Sequence, residues 1–175
     1  MTDPGMLPDF RKPAEVYDEC FVPALFAQWG KVVAEAAGIE AGQRVLDVAC
    51  GTGALACAVA DLVGVNGSVT GLDPNEEMLA VARRKRSTVT WQDGRAESLP
   101  FPDETFDAVV SQFGLMFFED RTAALCEMLR VLRPGGRMAV AVCDAVEHSP
   151  GYSALADLLE RLFGEKVADA FRAPF

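Results

Sequence analysis

Histidine and basic residues are scarce in this chain. It has one histidine, and 16 lysines and arginines stand against 26 aspartates and glutamates, for a formal net charge of −10. This balance argues against a nucleic-acid partner, because binding a phosphate backbone requires clustered lysine and arginine. The five cysteines form no CxxC pair, and the acids do not cluster at metal-ligand spacing, so we expect no metal site.

Long apolar runs are missing as well. No stretch reaches the roughly 18 apolar residues that a membrane span requires. The opening residues, MTDPGMLPDFRKP, lack the apolar core of a signal peptide. We therefore predict a cytoplasmic protein with reduced cysteines and no membrane contact. Half of the residues are hydrophobic, which is enough to build the core of a single domain.

The first part of the chain, residues 1–38, predicts a lead-in followed by a helical cap. Residues 1–13 contain three prolines and a glycine, which is typical of an extended segment. Apolar residues recur at helical spacing over 14–38, with a kink or break expected at Pro23 and a C-terminal stop at Gly38.

Residues 39–175 alternate short apolar strands with helices. This alternation predicts an α/β fold, a Rossmann-like doubly wound parallel sheet covered on both faces. A short basic cluster at 83–86 fits the C-terminus of a helix, where cations favour the helix dipole. The predicted strands are 44–48, 68–72, 88–91, 107–111 and 137–142, and the predicted helices are 54–63, one from near 75 to about 86, 121–132 and 152–163.

A glycine loop joins the first predicted strand to its helix in VLDVACGTGALA, residues 45–56. Gly51 and Gly53 allow positive φ and close approach of a ligand, and the helix N-terminus presents free N–H groups. Asp73 ends the next strand, where a carboxylate can accept bonds from both hydroxyls of a ribose. The same region also satisfies a dinucleotide fingerprint, which consists of the loop, Ala56 and an acid 20 residues after Gly53. An NAD(P)-dependent oxidoreductase therefore remains an alternative.

Asp47 separates the two candidate ligands. It lies four residues before Gly51, where the phosphates of a dinucleotide would meet an unpaired negative charge. S-adenosylmethionine has no phosphate and carries a sulfonium and an ammonium, both of which a carboxylate attracts. The position of Asp47 therefore favours the methyl donor.

The chain resembles the class I S-adenosylmethionine-dependent methyltransferases, in the small-molecule branch that includes quinone-biosynthesis enzymes. The resemblance implies a sheet in the order 3-2-1-4-5 that binds S-adenosylmethionine. It rests on four stretches: VLDVACGTGALA at 45–56, VTGLDPNEEMLAVAR at 69–83, ESLPFPDETFDAVVSQFGLMFFED at 97–120 and EMLRVLRPGGRMAV at 127–140.

The resemblance also implies which residues bind the cofactor. Four positions around the glycine loop would line its methionine part: Asp47, Ala49, Gly51 and Gly53. The adenosine would be held by Asp73 at the ribose hydroxyls, Pro74 and Met78 beside the adenine, and the backbone of Ala96 at the adenine edge. Three more residues would approach the sulfonium or cover the cofactor: Ser111, Gln112 and Tyr17.

Two positions depart from the family pattern. Ala49 stands where the loop often has its first glycine, and we expect it to be tolerated with a negative φ. Arg95 stands where an acid often accepts a bond from the adenine amino group, which an arginine cannot do. We therefore expect Asp93 or backbone groups to read the adenine.

The expected reaction is O- or C-methylation of a small molecule. The asparagine–proline motif of amino-group methylators is absent after the fourth strand, which reads Ser111-Gln112-Phe113-Gly114. His148, after the fifth strand, is a candidate catalytic base, with an exposed loop histidine as the alternative. The aromatic run at 113–118 either shapes an apolar substrate pocket or packs into the core.

The end of the chain predicts an incomplete sheet. The family resembled here has seven strands, and only five are found, so we expect a C-terminally truncated domain whose fifth strand is an unpaired edge. Such an edge invites pairing with a second copy, so a homodimer is predicted. A non-catalytic fragment that binds the cofactor remains a further alternative.

Overall fold

Five parallel strands form the centre of the fold, in the order β3-β2-β1-β4-β5. The computed structural model describes residues 12–173, so the predicted lead-in lies almost wholly outside the described residues. The Rossmann-like architecture and its strand order are confirmed. The strands are β1 (Arg44–Val48), β2 (Ser68–Asp73), β3 (Thr90–Asp93), β4 (Phe106–Gln112) and β5 (Leu132–Ala141).

Helices precede the sheet and connect its strands. Within residues 12–173 no helix is long and apolar enough to cross a membrane. The last helix was not predicted, since its apolar residues are few. The α-helices are α1 (Pro13–Val16), α2 (Trp29–Ala36), α3 (Ala54–Val63), α4 (Glu76–Lys85), α5 (Arg121–Arg130), α6 (Pro150–Phe163) and α7 (Glu165–Arg172).

Two strands begin two or more residues away from their predicted starts. β3 begins at Thr90 rather than at 88, because a turn after α4 occupies 87–89 and buries Val89 in the core without strand pairing. β5 begins at Leu132, and its register slips between the pair Phe106–Leu132 and the pair Ala108–Arg137. The residues between these two pairs bulge out of the strand ladder. They interrupt the apolar pattern, so the sequence did not predict that the strand begins this early.

The N-terminal helical segment is divided, although not at Pro23 itself. Pro23 lies within a π-helix, Tyr17–Phe26, and the chain turns at 27–28 before α2 begins. Gly38 ends α2 as predicted: it has φ 59°, its N–H bonds to Glu35, and the next N–H bonds back to Ala34. These bonds are those of a Schellman motif, which satisfies the last carbonyls of the helix.

Both faces of the sheet are buried. α2 and α3 cover one face and α5 covers the other, so neighbouring residues Val45 and Leu46 of β1 belong to opposite core clusters. The near-continuous apolar strands follow from this double coverage.

The basic cluster ends α4 as predicted, and it also anchors the N-terminal segment. Arg84 pairs with Glu15 at 2.9 Å and Lys85 pairs with Asp18 at 2.6 Å. These contacts hold residues 15–18 against the C-terminal end of α4.

Candidate functional site

The carboxyl ends of β1, β2 and β4 open onto a cavity of about 470 Å³. This volume lies within the range of small-molecule sites, roughly 300–1,000 Å³. Its position matches the rule that ligands of open α/β sheets bind at the carboxyl ends of the strands, where the order reverses. Loops after four strands contribute to it, and the N-terminal segment closes one side.

The cavity brings together most of the predicted cofactor-binding residues. Nine of them line it: Tyr17, Asp47, Ala49, Gly51, Asp73, Pro74, Met78, Ala96 and Gln112. Three others do not: Gly53, Asp93 and Ser111.

Each of those three residues has a different place in the fold. Gly53 lies against Trp91, whose ring would be 2.3 Å from any added Cβ, so this glycine serves packing of the loop. Asp93 is an exposed residue of edge strand β3. Ser111 is fully buried beneath Gly114, whose added Cβ would meet the Ser111 hydroxyl at 2.8 Å.

Backbone bonds and positive φ angles shape the glycine loop. The N–H of Cys50 donates to the Leu72 carbonyl at 3.0 Å, which fixes the loop to β2. Ala49 has φ 58°, so the expectation of a negative φ is wrong. A left-handed conformation costs a residue with a Cβ about 1–2 kcal/mol. Gly114 leaves the room for this Cβ, since a side chain at 114 would begin 2.6 Å from it.

Asp73 is held by two backbone amides. The Gly51 N–H donates to Oδ2 and the Asn75 N–H donates to Oδ1, both at 2.8 Å. Burial raises the pKa of Asp73, these two bonds lower it, and Asp93 raises it further. Each carboxylate oxygen retains a free lone pair, so Asp73 can still accept two hydroxyl bonds from a ligand.

Asp47 is buried without a hydrogen-bond partner. Its exposed fraction is 1 %, and neither oxygen is bonded within residues 12–173. Burial is the main reason that the pKa of Asp47 is raised to about 8, and the negative charge of Asp73 raises it further. The nearby Ala56 N–H lowers this pKa in part, although it does not reach hydrogen-bond geometry. Buried polar groups of proteins are normally satisfied, so this unpaired carboxyl is a candidate for ligand contact.

Other buried polar atoms near the sheet edge share this feature. The Thr52 hydroxyl, the Ser111 hydroxyl and Oε1 of Gln112 have no partner among the described residues. Thr52 and Gln112 line the cavity, and Nε2 of Gln112 donates to the Phe26 carbonyl at 3.0 Å. The carboxyl ends of the strands therefore present donors and acceptors that the described residues do not use.

Aromatic rings close the outer side of the cavity. Tyr17 stacks on Phe26 at 5.5 Å between ring centroids, and Phe26 contacts Phe113 at 5.7 Å. Burial, and after it the charge of Asp73, raises the pKa of Tyr17 to about 12. Phe113, Phe117 and Phe118 line the cavity, and Phe118 also packs against the core, so the aromatic run contributes both to the cavity wall and to core packing.

An ion-paired group lies at the rim near Ala96. Arg95 pairs with Glu119 at 2.9 Å and with Glu97 at 3.5 Å, and Glu97 also accepts the Glu119 N–H at 2.8 Å. All three line the cavity, whereas Asp93 does not. The sequence analysis missed Glu97 and Glu119, because only the fold brings two residues 22 positions apart into contact.

His148 is not brought to the cavity. It is 69 % exposed and pairs with Asp144 at 3.2 Å, and no cavity-lining residue comes from the segment after β5. Its placement matches the alternative of an exposed loop histidine. Within residues 12–173 no three potential metal ligands lie together.

The sequence was compared with known families and structures. Residues 46–140, more than half of the chain, match the family described as "Methyltransferase domain". The chain belongs to this methyltransferase family. The match begins within β1 and ends within β5, so it covers the whole sheet that builds the cavity.

Individual relatives agree with this assignment. The chain is 43 % identical over 118 residues to the ubiquinone/menaquinone biosynthesis C-methyltransferase UbiE of Proteus mirabilis, covering 64 % of this chain and 47 % of that protein. It is 35 % identical to the [4+2]-cyclase SpnF, with a TM-score of 0.60 over 67 % of this chain and 44 % of that one. The chain spans about half the length of the curated relatives it matches.

A third relative shares the fold over nearly its whole length. A SAM dependent methyltransferase from Aquifex aeolicus superposes with a TM-score of 0.67. The superposition covers 86 % of this chain and 88 % of that one at 22 % identity, which shows the common fold alone.

Proposed function

We propose that this chain binds S-adenosylmethionine and transfers its methyl group to a small-molecule acceptor in the cytoplasm, without a metal. The observation that carries the proposal is the buried, unpaired carboxyl of Asp47 in the cavity wall, with Asp73 beside it. Two carboxyls beside the glycine loop suit a ligand with two positive groups and a ribose.

The same pair of acids disfavours the oxidoreductase alternative. A dinucleotide would place two phosphates near the loop 49–53, within reach of the charge of Asp73, and would offer the buried carboxyl of Asp47 no cation. The loop offers no compensating lysine or arginine. Membership of the methyltransferase family supports the same choice.

The remaining lining residues suit the parts of the proposed ligand. Asp73 would accept the ribose hydroxyls, and Pro74, Met78 and Ala96 would enclose the adenine with mainly apolar surface. Gln112 would approach the sulfonium from the end of β4. The buried serine at 111 and the glycine at 53 would support the site from behind.

The chain would act by holding the reactants and excluding water. When bound, S-adenosylmethionine supplies an electrophilic methyl group. Orientation of two reactants can correspond to effective molarities of about 10⁵–10⁸ M, so no catalytic dyad is required. Tyr17 and the aromatic residues of the wall would keep water from the transfer path.

The wall also favours a class of acceptor. Phe113, Phe117 and Phe118 present apolar rings to the cavity. These rings suit a flat, weakly polar small molecule, and the similarity to a quinone-biosynthesis C-methyltransferase favours carbon as the methylated atom.

The free edge of β5 supports a homodimer as part of the proposal. Among the described residues β5 pairs only with β4, and its residues 138–141 are half-buried. An apolar edge of this kind pairs readily with a second copy. Light scattering should give a dimer mass, and a monomer at micromolar concentration would remove this part of the proposal.

Calorimetry tests the ligand. S-adenosylmethionine and S-adenosylhomocysteine should bind, and NADH should not. Asp73→Ala should weaken binding by roughly 1.5–3 kcal/mol, the range for a lost bond to a buried charged group. Glu77→Gln is the matched control, because Glu77 is an exposed acid on α4 and should leave binding unchanged. Equal affinity of wild type and Asp73→Ala would make the ribose assignment wrong.

A methyl-transfer screen tests the reaction. Phenols, quinols and small acids should be offered with labelled S-adenosylmethionine, and a quinol-like carbon acceptor should be methylated. A direct assay is needed because one relative is a cyclase and the chain spans about half of its curated relatives. Binding without transfer to any acceptor would favour the alternative of a non-catalytic cofactor-binding fragment.

A further inference from the structure

The surroundings of Asp47 differ from those of an ordinary binding carboxylate. The side chain lines the cavity, yet it is 1 % exposed and neither oxygen has a hydrogen-bond partner among the described residues. An ionised carboxylate in such a position would lose its hydration and gain only the approach of the Ala56 N–H, which does not reach hydrogen-bond geometry. The geometry alone therefore favours the neutral acid in the absence of a ligand.

Among the titratable groups around Asp47, Asp73 at the end of β2 reinforces this state, and Asp93 acts on Asp73 in turn. Cys50 in the loop and Cys57 on α3 are thiols whose own pKa is raised by burial and by Asp47, so they supply no charge that would favour the carboxylate. Further out, Asp18 raises the pKa of Cys57, and Asp73 and Asp18 raise the pKa of Tyr17. Lys85 and Arg86 influence Cys57, but no lysine or arginine of residues 12–173 contributes to the shift at Asp47. The pKa of Asp47, about 8, agrees with the geometric argument.

A cationic ligand would reverse the balance. Inside a cavity of low polarity, a positive group near the carboxyl stabilises the ionised form far more than it would in water. The unpaired oxygens of Asp47 are available to such a group, and Asp73 is already held by two amides.

We infer that uptake of S-adenosylmethionine or its demethylated product drives one proton from Asp47 into the solvent. The inference rests on the proposed function. The step balances as neutral Asp47 plus the ligand's ammonium group, which both ligands carry, giving Asp47 carboxylate paired with that ammonium, plus one proton taken up by the buffer. Cofactor affinity then rises with pH, about tenfold per pH unit while the empty site is protonated.

A competing arrangement makes the opposite prediction. Neutral Asp47 could keep its proton and donate it in a hydrogen bond to the carboxylate of the methionine part. Binding would then release no proton, and its affinity would not depend on pH in this range.

Calorimetry in two buffers of different ionisation enthalpy distinguishes these arrangements. At pH 6.5, S-adenosylhomocysteine binding to the wild-type chain should release close to one proton. Asp47→Asn should bind more weakly and release close to none, whereas Glu77→Gln should behave as wild type. Normal wild-type binding without release, or release that persists in Asp47→Asn, would overturn the inference. Absence of binding to the wild type would instead contradict the proposed function.

Two measurements on the wild type keep the test independent of the variant. Affinity should increase about tenfold from pH 5.5 to 6.5 and again to 7.5. The infrared difference spectrum should show loss of a protonated carboxyl band when the ligand binds. A flat affinity profile with an unchanged carboxyl band would contradict proton release.

Discussion

Two buried aspartates lie on neighbouring strands, at opposite ends of the sheet. Asp47, near the carboxyl end of β1, is 1 % exposed and has no hydrogen-bond partner among the described residues. Asp107, at the amino end of β4, is 7 % exposed; its Oδ2 accepts the Arg44 N–H at 2.6 Å, and its Oδ1 lies 2.7 Å from a guanidinium nitrogen of Arg133.

This difference distinguishes an acid that stabilises the fold from an acid that is available to a ligand. Asp107 ties β1, β4 and β5 together at the end of the sheet away from the cavity. Asp47 ties nothing together and faces the cavity instead. A buried acid with partners stabilises the fold, whereas a buried acid without partners lowers stability, as expected under the proposed function if Asp47 binds a ligand.

The largest effect is expected at the paired end of the sheet. Asp107→Ala should lower the free energy of unfolding by about 3 kcal/mol, because the part-buried Arg44 N–H loses its acceptor and two half-exposed arginines lose a buried counterion. Urea unfolding measures this change. Asp61→Ala, which removes an exposed ion pair with Arg86, is the control and should cost under about 1 kcal/mol. Equal decreases in the free energy of unfolding for Asp107→Ala and Asp61→Ala would contradict the stabilising role of Asp107.

Substitution of Asp47, at the other end of the sheet, should raise the free energy of unfolding rather than lower it. The pKa of Asp47 is raised above its value in the unfolded chain, so its neutral carboxyl contributes stability below about pH 4 that is lost as the pH rises to about 8. Asp47→Asn cannot ionise, so it should gain about 2 kcal/mol relative to wild type between pH 5 and pH 6.5, at about 1.4 kcal/mol per pH unit. Urea unfolding at both pH values provides the measurement, and a constant difference would show that Asp47 is already ionised.

The sequence predicted the elements that local patterns define. Apolar strands, the helix start near Asn75 and the Gly38 stop follow from residues within one element, and the resemblance supplied the strand order. Contacts between distant residues were not predictable. The positive φ of Ala49 depends on Gly114, and the rim group depends on Glu119 meeting Arg95.

A smaller stabilisation should come from the glycine loop. Ala49→Gly should raise the free energy of unfolding by about 0.5 kcal/mol, since relief of the left-handed alanine exceeds the added entropy of the unfolded chain. Thermal unfolding should show a small rise in Tm, and Ala54→Gly, at the first position of α3, should lower Tm instead. A lower Tm for Ala49→Gly would mean that the contact with Gly114 outweighs the strain.

No effect is expected from metal removal. If the two cavity acids were magnesium ligands rather than partners of an organic cation, EDTA would weaken cofactor binding and added magnesium would restore it. We expect the affinity for S-adenosylhomocysteine to be the same with and without EDTA in calorimetry. A loss that magnesium reverses would assign the unpaired carboxyl of Asp47 to a metal.

The shift in Tm caused by S-adenosylhomocysteine tests the difference between the two ends of the sheet most directly. At about 100 times its Kd, a ligand adds roughly 2.7 kcal/mol to stability, which should raise the wild-type Tm by several degrees. Asp107→Ala should start from a lower Tm and show the same ligand-induced rise, whereas Asp47→Asn should show little rise at the same concentration. An undiminished shift in Asp47→Asn would contradict the account.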